Sequence, residues 1–251
     1  MYGNFVFRDR KFISLESTVS TNNELKRMIR NSDSPVFAVV SAENQTGGRG
    51  RLGRSFFSPS GGLYFSVSLP LRGDENNIPF LTLLAGLAVC KAVQELTGAE
   101  IEIKWPNDIY LGGKKLGGIL CELVNGKTLA AVVGIGINLS IKREEIPSEL
   151  ENIMTSFVSS GIIPPEKDIL IEKIVEKLDT YVYTQKELYE VSEDVLNDIK
   201  ERSFSIGKKV KYTLGETLWE GTVTDIKKSG AAEIALSDGT VREIFCGEIT
   251  Q

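Results

Sequence analysis

Not one of the 251 residues is histidine. That absence removes imidazole metal ligands, Ser–His and Cys–His nucleophile pairs and the side chain that most often moves protons near neutral pH, leaving Lys, Arg, Asp, Glu and backbone dipoles to carry any chemistry. Cysteine is almost as scarce. Cys90, Cys121 and Cys246 are odd in number and too widely spaced for a zinc-type pair, so they read as cytosolic thiols. Neither charge dominates: 29 Lys plus Arg against 34 Asp plus Glu leave a net charge of −5 spread along the chain, which argues against nucleic acid as a partner. Long apolar runs are missing too. The longest, residues 80–90, stops at Lys91, short of the ~20 residues that span a bilayer, and Arg8, Asp9, Arg10 and Lys11 interrupt the start where an export signal needs an apolar stretch. The expectation is a soluble, cytoplasmic protein with no membrane partner and room for one sizeable core.

What is present is punctuated well enough to place elements. Thr21 followed by Glu24 has capping-box spacing and predicts a helix to about Arg30. Residues 36–41 are β-branched and follow Pro35, as in a buried strand; Leu63, Phe65, Val67 and Leu69 alternate with Ser66 and Ser68, as in a half-exposed one. Residues 79–97 are too densely apolar for one stripe and predict a mostly buried helix ended by Gly98. Residues 101–104 read as a short strand broken by Pro106, and 119–124 and 129–139 as strands joined at Asn125-Gly126, a hairpin signal. Leu170, Ile174, Leu178 and Val182 predict an amphipathic helix over about 165–189, with a short helix over 193–202. Beyond Gly207, short strands over 209–214, 217–225, 233–236 and 240–245, with turns at Gly215, Ser229-Gly230 and Asp238-Gly239, predict a small closed barrel. The expected division is one domain over 1–202 and a second over 203–251.

Gly48-Arg49-Gly50-Arg51-Leu52-Gly53 matches a dinucleotide-binding fingerprint in letters only, because that motif opens a helix and here Ser58-Pro59-Ser60-Gly61-Gly62 and a strand follow. What remains is a loop with Arg49, Arg51 and Arg54, whose guanidiniums suit a phosphate or carboxylate; the plain alternative is a solvated basic turn. In Lys104-Trp105-Pro106-Asn107-Asp108, polar groups crowd a tryptophan that alone would plug a core, and nearby Gly112, Gly113, Gly117 and Gly118 let a ligand approach the backbone. Gly134-Ile135-Gly136-Ile137-Asn138 reads alone as a strand packed on another backbone.

Taken in order, Ser20-Thr21-Asn22, the run from Gln45 through Arg49 and Arg51 to Arg54, Lys104 to Asp108, Lys115-Leu116-Gly117-Gly118 and Gly134 to Asn138 resemble the biotin protein ligases, the biotin–[acetyl-CoA-carboxylase] ligases, from about Ser17 to the end. The resemblance implies an α+β fold: a central mixed β-sheet flanked by helices, related to class II aminoacyl-tRNA synthetase cores, followed by an SH3-like barrel. It implies that ATP activates biotin as biotinyl-5′-adenylate and that biotin then passes to a lysine of a biotin carboxyl carrier domain. Mg2+ would come with ATP, held mostly by phosphate with Asp108 as helper and no dedicated protein metal site. A homodimer through the sheet edge is implied as well.

Residue by residue, the resemblance puts Ser20, Thr21, Asn22, Gln45, Arg49, Gly50, Arg51, Trp105, Lys115, Gly117 and Gly118 on biotin. It puts Arg49, Arg51, Arg54, Phe56, Lys104, Asn107, Asp108 and Asn138 on ATP, and gives catalysis to Lys104, Arg51 and Lys115, the last expected on an exposed loop. Leu52 and Phe56 depart from the pattern, standing where many members have a basic residue and Trp. Only 19 residues precede Ser20, so the expectation is the short type without a DNA-binding helix-turn-helix. Two rivals stand beside this reading: a lipoyl or octanoyl transferase, some of which use a cysteine, and a biotin-sensing regulator. Cys121 follows Lys115 closely but sits in a β-branched run that reads as core.

Overall fold

The computed structural model describes residues 10–71, 78–183, 192–214, 217–245 and 249–250. Its frame is a seven-stranded sheet ordered β1-β2-β3-β7-β6-β5-β4. The strands are β1 (Lys11–Thr18), β2 (Ala38–Gln45), β3 (Gly62–Pro70), β4 (Glu102–Lys104), β5 (Asp108–Leu111), β6 (Lys114–Asn125) and β7 (Leu129–Asn138). Only β1 and β2 run parallel, joined by the crossover helix α1 (Thr21–Arg30); every other neighbouring pair is antiparallel.

Period-2 alternation splits the sheet's side chains between two cores. Ala38, Val40, Val124, Ala130 and Val132 pack under Leu25 and Ile29 of α1. Val39, Leu63, Phe65, Val67, Ala131 and Val133 face the other way, against α2 (Ile78–Thr97) and α3 (Lys167–Tyr183). Because both faces are covered, β3 is buried along its whole length, which corrects the half-exposed strand expected from Ser66 and Ser68. Buried hydroxyls need partners, and these have them: Ser68 Oγ lies 2.6 Å from Val36 O and Ser66 Oγ 2.7 Å from Thr21 Oγ1. Helix α2 is long and apolar enough to cross a membrane, but from Phe80 to Val93 every residue except Lys91 is buried in the core. Gly98 ends it at φ +72°.

Three more expectations change. The capping box does not form: Ser20 is the N-cap without a side-chain bond, the Thr21 amide donates to Gln45 Oε1 at 2.9 Å, and Glu24 accepts instead from Thr18 and Arg27. A side chain at the end of β2 thus supplies the acceptor that the helix start requires. Second, β6 begins at Lys114, so Lys115 is a strand residue rather than a loop residue, paired with Tyr110 of β5. Third, β1 had no counterpart in the sequence reading.

The C-terminal part contains α4 (Glu193–Glu201) and a second, antiparallel sheet ordered β11-β10-β9-β8-β12, built from β8 (Lys209–Leu214), β9 (Thr217–Ile226), β10 (Ala232–Leu236), β11 (Val241–Ile244) and β12 (Ile249–Thr250). Val210, Tyr212, Val223 and Ile234 join the same hydrophobic cluster as α2. The Trp105 indole N–H donates to Gly230 O at 2.8 Å, fixing the second sheet to the end of β4. Gly215, Cys246 and the end of the helix expected to about residue 189 lie outside the described residues.

Candidate active site

A cleft of about 450 Å³ opens where the N-terminus of α1, the end of β2 and strands β4 to β7 converge. One end is neutral and polar, lined by Ser20, Thr21, Asn22 and Gln45. Gln45 is held by the Thr21 amide on its oxygen and by Ser58 Oγ, 3.2 Å from its nitrogen. Asn22 is set by Ser66 of β3 and Glu122 of β6, at 2.5 and 2.8 Å.

The other end is cationic. Arg49, Arg51, Arg54, Lys104 and Lys115 line the cleft against a single carboxylate, Asp108, among the described residues, so an acidic chain encloses a strongly positive recess. The arginines ride on a tight hairpin: Arg49 pairs with Ser55, Gly50 N–H donates to Arg54 O at 2.8 Å, and a 3-10 turn covers Arg51–Gly53. Leu52 at its tip adopts φ 56°, uncommon for leucine, and is 79% exposed. A strand follows, so the glycines serve a hairpin and not a dinucleotide-binding helix. Gly48 is required for space, since a Cβ there would lie 2.5 Å from Ser58 Oγ.

Lys115 Nζ lies 2.7 Å from Asp108 Oδ1 and 6.0 Å from the centre of the Phe56 ring. That ring rests on bare backbone: a Cβ on Gly136 would come within 2.5 Å of it. Arg51 donates to Asn107 Oδ1 at 3.4 Å, and Asn107 to Ile119 O at 3.0 Å. Lys104 Nζ is 3.2 Å from the Tyr110 hydroxyl, whose ring packs 4.7 Å from that of Phe204.

The cleft therefore gathers all the anticipated site residues except Gly117 and Asn138. Gly117 lies against the Gly136 carbonyl. Asn138 is buried, donates to Thr155 O at 2.9 Å, and its Oδ1 has no partner among the described residues. Trp105 forms a wall, with its N–H already committed to Gly230. Tyr110, Ser66 and Glu122 were not anticipated; Tyr110 ends the dense run that starts at Lys104, whereas Ser66 and Glu122 carry no local signal, because sheet pairing brings them to Asn22. Cys121 does not line the cleft, and burial pushes its thiol up to about 12, far from a ready nucleophile. No group of three or more Cys, Asp or Glu side chains suited to a metal occurs among the described residues.

Fold and cleft together define an α+β protein whose cleft sets a neutral polar compartment beside a cationic one. Residues 14–138 match the biotin/lipoate A/B protein ligase family. A biotin protein ligase from Aquifex aeolicus, solved with biotin and ATP, superposes with a TM-score of 0.77 at 33% identity, covering 96% of this chain and 97% of that one. The biotin–[acetyl-CoA-carboxylase] ligase of Mycobacterium tuberculosis is 28% identical over 92% of this chain and 86% of its own length. The bifunctional ligase/repressor BirA of Bacillus subtilis is 39% identical over 57% of this chain, a match spanning 43% of that protein. The chain belongs to the biotin/lipoate A/B protein ligase family.

Proposed function

We propose that this protein is a biotin protein ligase: the biotin carboxylate displaces pyrophosphate from ATP to give biotinyl-5′-adenylate, and the amine of one lysine of a biotin carboxyl carrier domain then takes the biotinyl group and releases AMP. One observation carries the reading: a single cleft sets short neutral hydrogen-bonding side chains beside five cations and one carboxylate. Biotin's ring offers two N–H donors and a carbonyl, which suits Ser20, Thr21, Asn22 and Gln45 with Trp105 as the apolar wall. Its carboxylate must meet the α-phosphate, and two anions approach only where charge is neutralised beforehand.

Lys115 exchanges its ion pair with Asp108 for the biotin carboxylate. Arg49 and Arg51 close over carboxylate and phosphates with the Gly50 backbone, while Lys104, held by Tyr110, stabilises charge building at the α-phosphorus. Adenine and ribose meet Arg54, Phe56 and Asn107, and the Asn138 oxygen, without a partner among the described residues, suits an amine donor. Asp108, the carboxylate of the cleft, can share the Mg2+ that ATP carries, whose charge offsets the phosphates. We further infer an SH3-like barrel over 203–251 beside a catalytic domain over 1–202, the barrel helping to seat the carrier. The free thiols Cys90 and Cys121 suit a cytoplasmic setting. The β1 edge suits a homodimer, which light scattering with and without biotin and ATP tests.

Lipoyl or octanoyl transfer through a thiol is disfavoured, since no cysteine lines the cleft among the described residues. The test is exchange of labelled pyrophosphate into ATP. Exchange that depends on biotin is expected; none with biotin, or exchange driven equally by octanoate, would overturn the assignment.

A further inference from the structure

Asn22 has an orientation dictated by chemistry. It is 5% exposed, with its amide nitrogen 2.8 Å from Glu122 Oε2 and 3.3 Å from Leu120 O, and its amide oxygen 2.5 Å from Ser66 Oγ. A carboxylate and a carbonyl only accept hydrogen bonds, so the end of the amide facing them must be the NH2. Ser66 imposes no such choice, because a hydroxyl both donates and accepts. Glu122 is ionised near neutral pH: burial opposes its charge, but Lys26 Nζ at 2.8 Å and the Asn22 amide hold its carboxyl below the usual range. With both amide protons engaged, Asn22 has only the second lone pair of its oxygen left for an occupant. A Cβ on Gly134 would lie 2.2 Å from that oxygen, so the oxygen rests over bare β7 backbone beside the cleft that both residues line.

We propose that Glu122 is a positioning residue that fixes the hydrogen-bonding polarity of the cleft. By orienting Asn22, it makes the neutral end an acceptor and selects an acid whose head group carries N–H donors over one with an apolar head. This rests on the biotin reading and deepens it. A urea ring satisfies the Asn22 oxygen, whereas an alkyl or dithiolane head leaves it buried and unpaired. Without Glu122, Ser66 is content with either end of the amide and only the longer contact to Leu120 O, at 3.3 Å, still asks for the NH2, so the preference weakens.

Biotin-dependent pyrophosphate exchange and calorimetric biotin binding are compared for wild type, Glu122→Ala, Glu122→Gln, Asn22→Ala and the double variant Asn22→Ala/Glu122→Ala, with octanoate as the apolar-headed acid. Glu122→Ala is expected to raise the biotin KM and Kd by about tenfold, with kcat within about threefold of wild type and the KM for ATP unchanged. Its preference for biotin over octanoate falls by the same factor. Glu122→Gln, which still accepts from Asn22, recovers most of the loss, and Glu122→Ala adds nothing once Asn22 is alanine. A merely structural role would lower kcat and melting temperature together and persist in the Asn22→Ala background. If the alanine variant unfolds, Glu122→Met, of similar length, serves in its place. A biotin KM within about twofold of wild type, or an undiminished effect in the double variant, would overturn the inference and leave the ligase reading intact. A wild type that neither binds biotin nor exchanges pyrophosphate with it would overturn both.

Discussion

Lys115 Nζ is 2.7 Å from Asp108 Oδ1, so an incoming carboxylate competes with one already in place. Losing the charge-assisted bond to substrate costs about 1.5–3 kcal/mol, so Lys115→Ala is expected to lower pyrophosphate exchange roughly 10- to 100-fold. Its melting temperature should change little, because both partners are about a quarter to a third exposed and such pairs add little stability. Exchange within about twofold of wild type would remove Lys115 from the mechanism. At Gly134 the effect is steric: a methyl group would lie 2.2 Å from Asn22 Oδ1, so Gly134→Ala is expected to raise the biotin KM while leaving the KM for ATP near wild type. Steady-state kinetics in both substrates checks this. The residues gathered at the cleft were legible in the chain because they fall in short, dense motifs. Those that orient them were not: Glu122 lies 100 positions from Asn22 and Ser66 lies 44, separations that no local pattern spans.

Among the elements, the arginine hairpin combines tight closing bonds with an exposed leucine in the left-handed region, and few apolar side chains anchor it. Segments of that kind open at low cost, which suits the proposed role of admitting two anions and then enclosing them. Backbone amides of residues 46–54 are expected to exchange with deuterium faster in the free protein than with biotin and ATP bound. Equally slow exchange in both states would contradict a closing role. Helix α3 was legible from its periodicity, α2 and β7 from their dense apolar runs, and α1 from the polar residues at its start, although the capping box expected there does not form. Ser66 and Ser68 misled because a serine in an alternating strand usually marks the wet face, whereas here α1 covers that face and its polar residues satisfy the hydroxyl of Ser66. β1 was missed for the opposite reason. It is an eight-residue strand at the sheet's end, none of whose side chains is fully buried, and that exposure dilutes the apolar signal.

For the molecule as a whole, the two sheets share one hydrophobic cluster, and the cleft lies where strands distant in sequence are held in register. Its polar interior links stability to pH. The Glu122 carboxyl lies below its ordinary value of 4.5, so its contribution is fully present above pH 4.5 and is lost as pH falls through the lower native value. Melting temperatures measured across that acid range should fall less steeply for Glu122→Gln than for wild type; parallel curves would deny the linkage. Under the proposed function, one cleft makes an acyl-adenylate from biotin and ATP and passes the acyl group to a carrier. The most direct measurement incubates the protein with biotin, ATP, Mg2+ and a biotin carboxyl carrier domain, follows the nucleotides by chromatography and locates the modification by mass spectrometry. AMP and pyrophosphate are expected in equal amounts, with biotin on a single carrier lysine. ADP and phosphate, or nucleotide turnover indifferent to biotin, would contradict it.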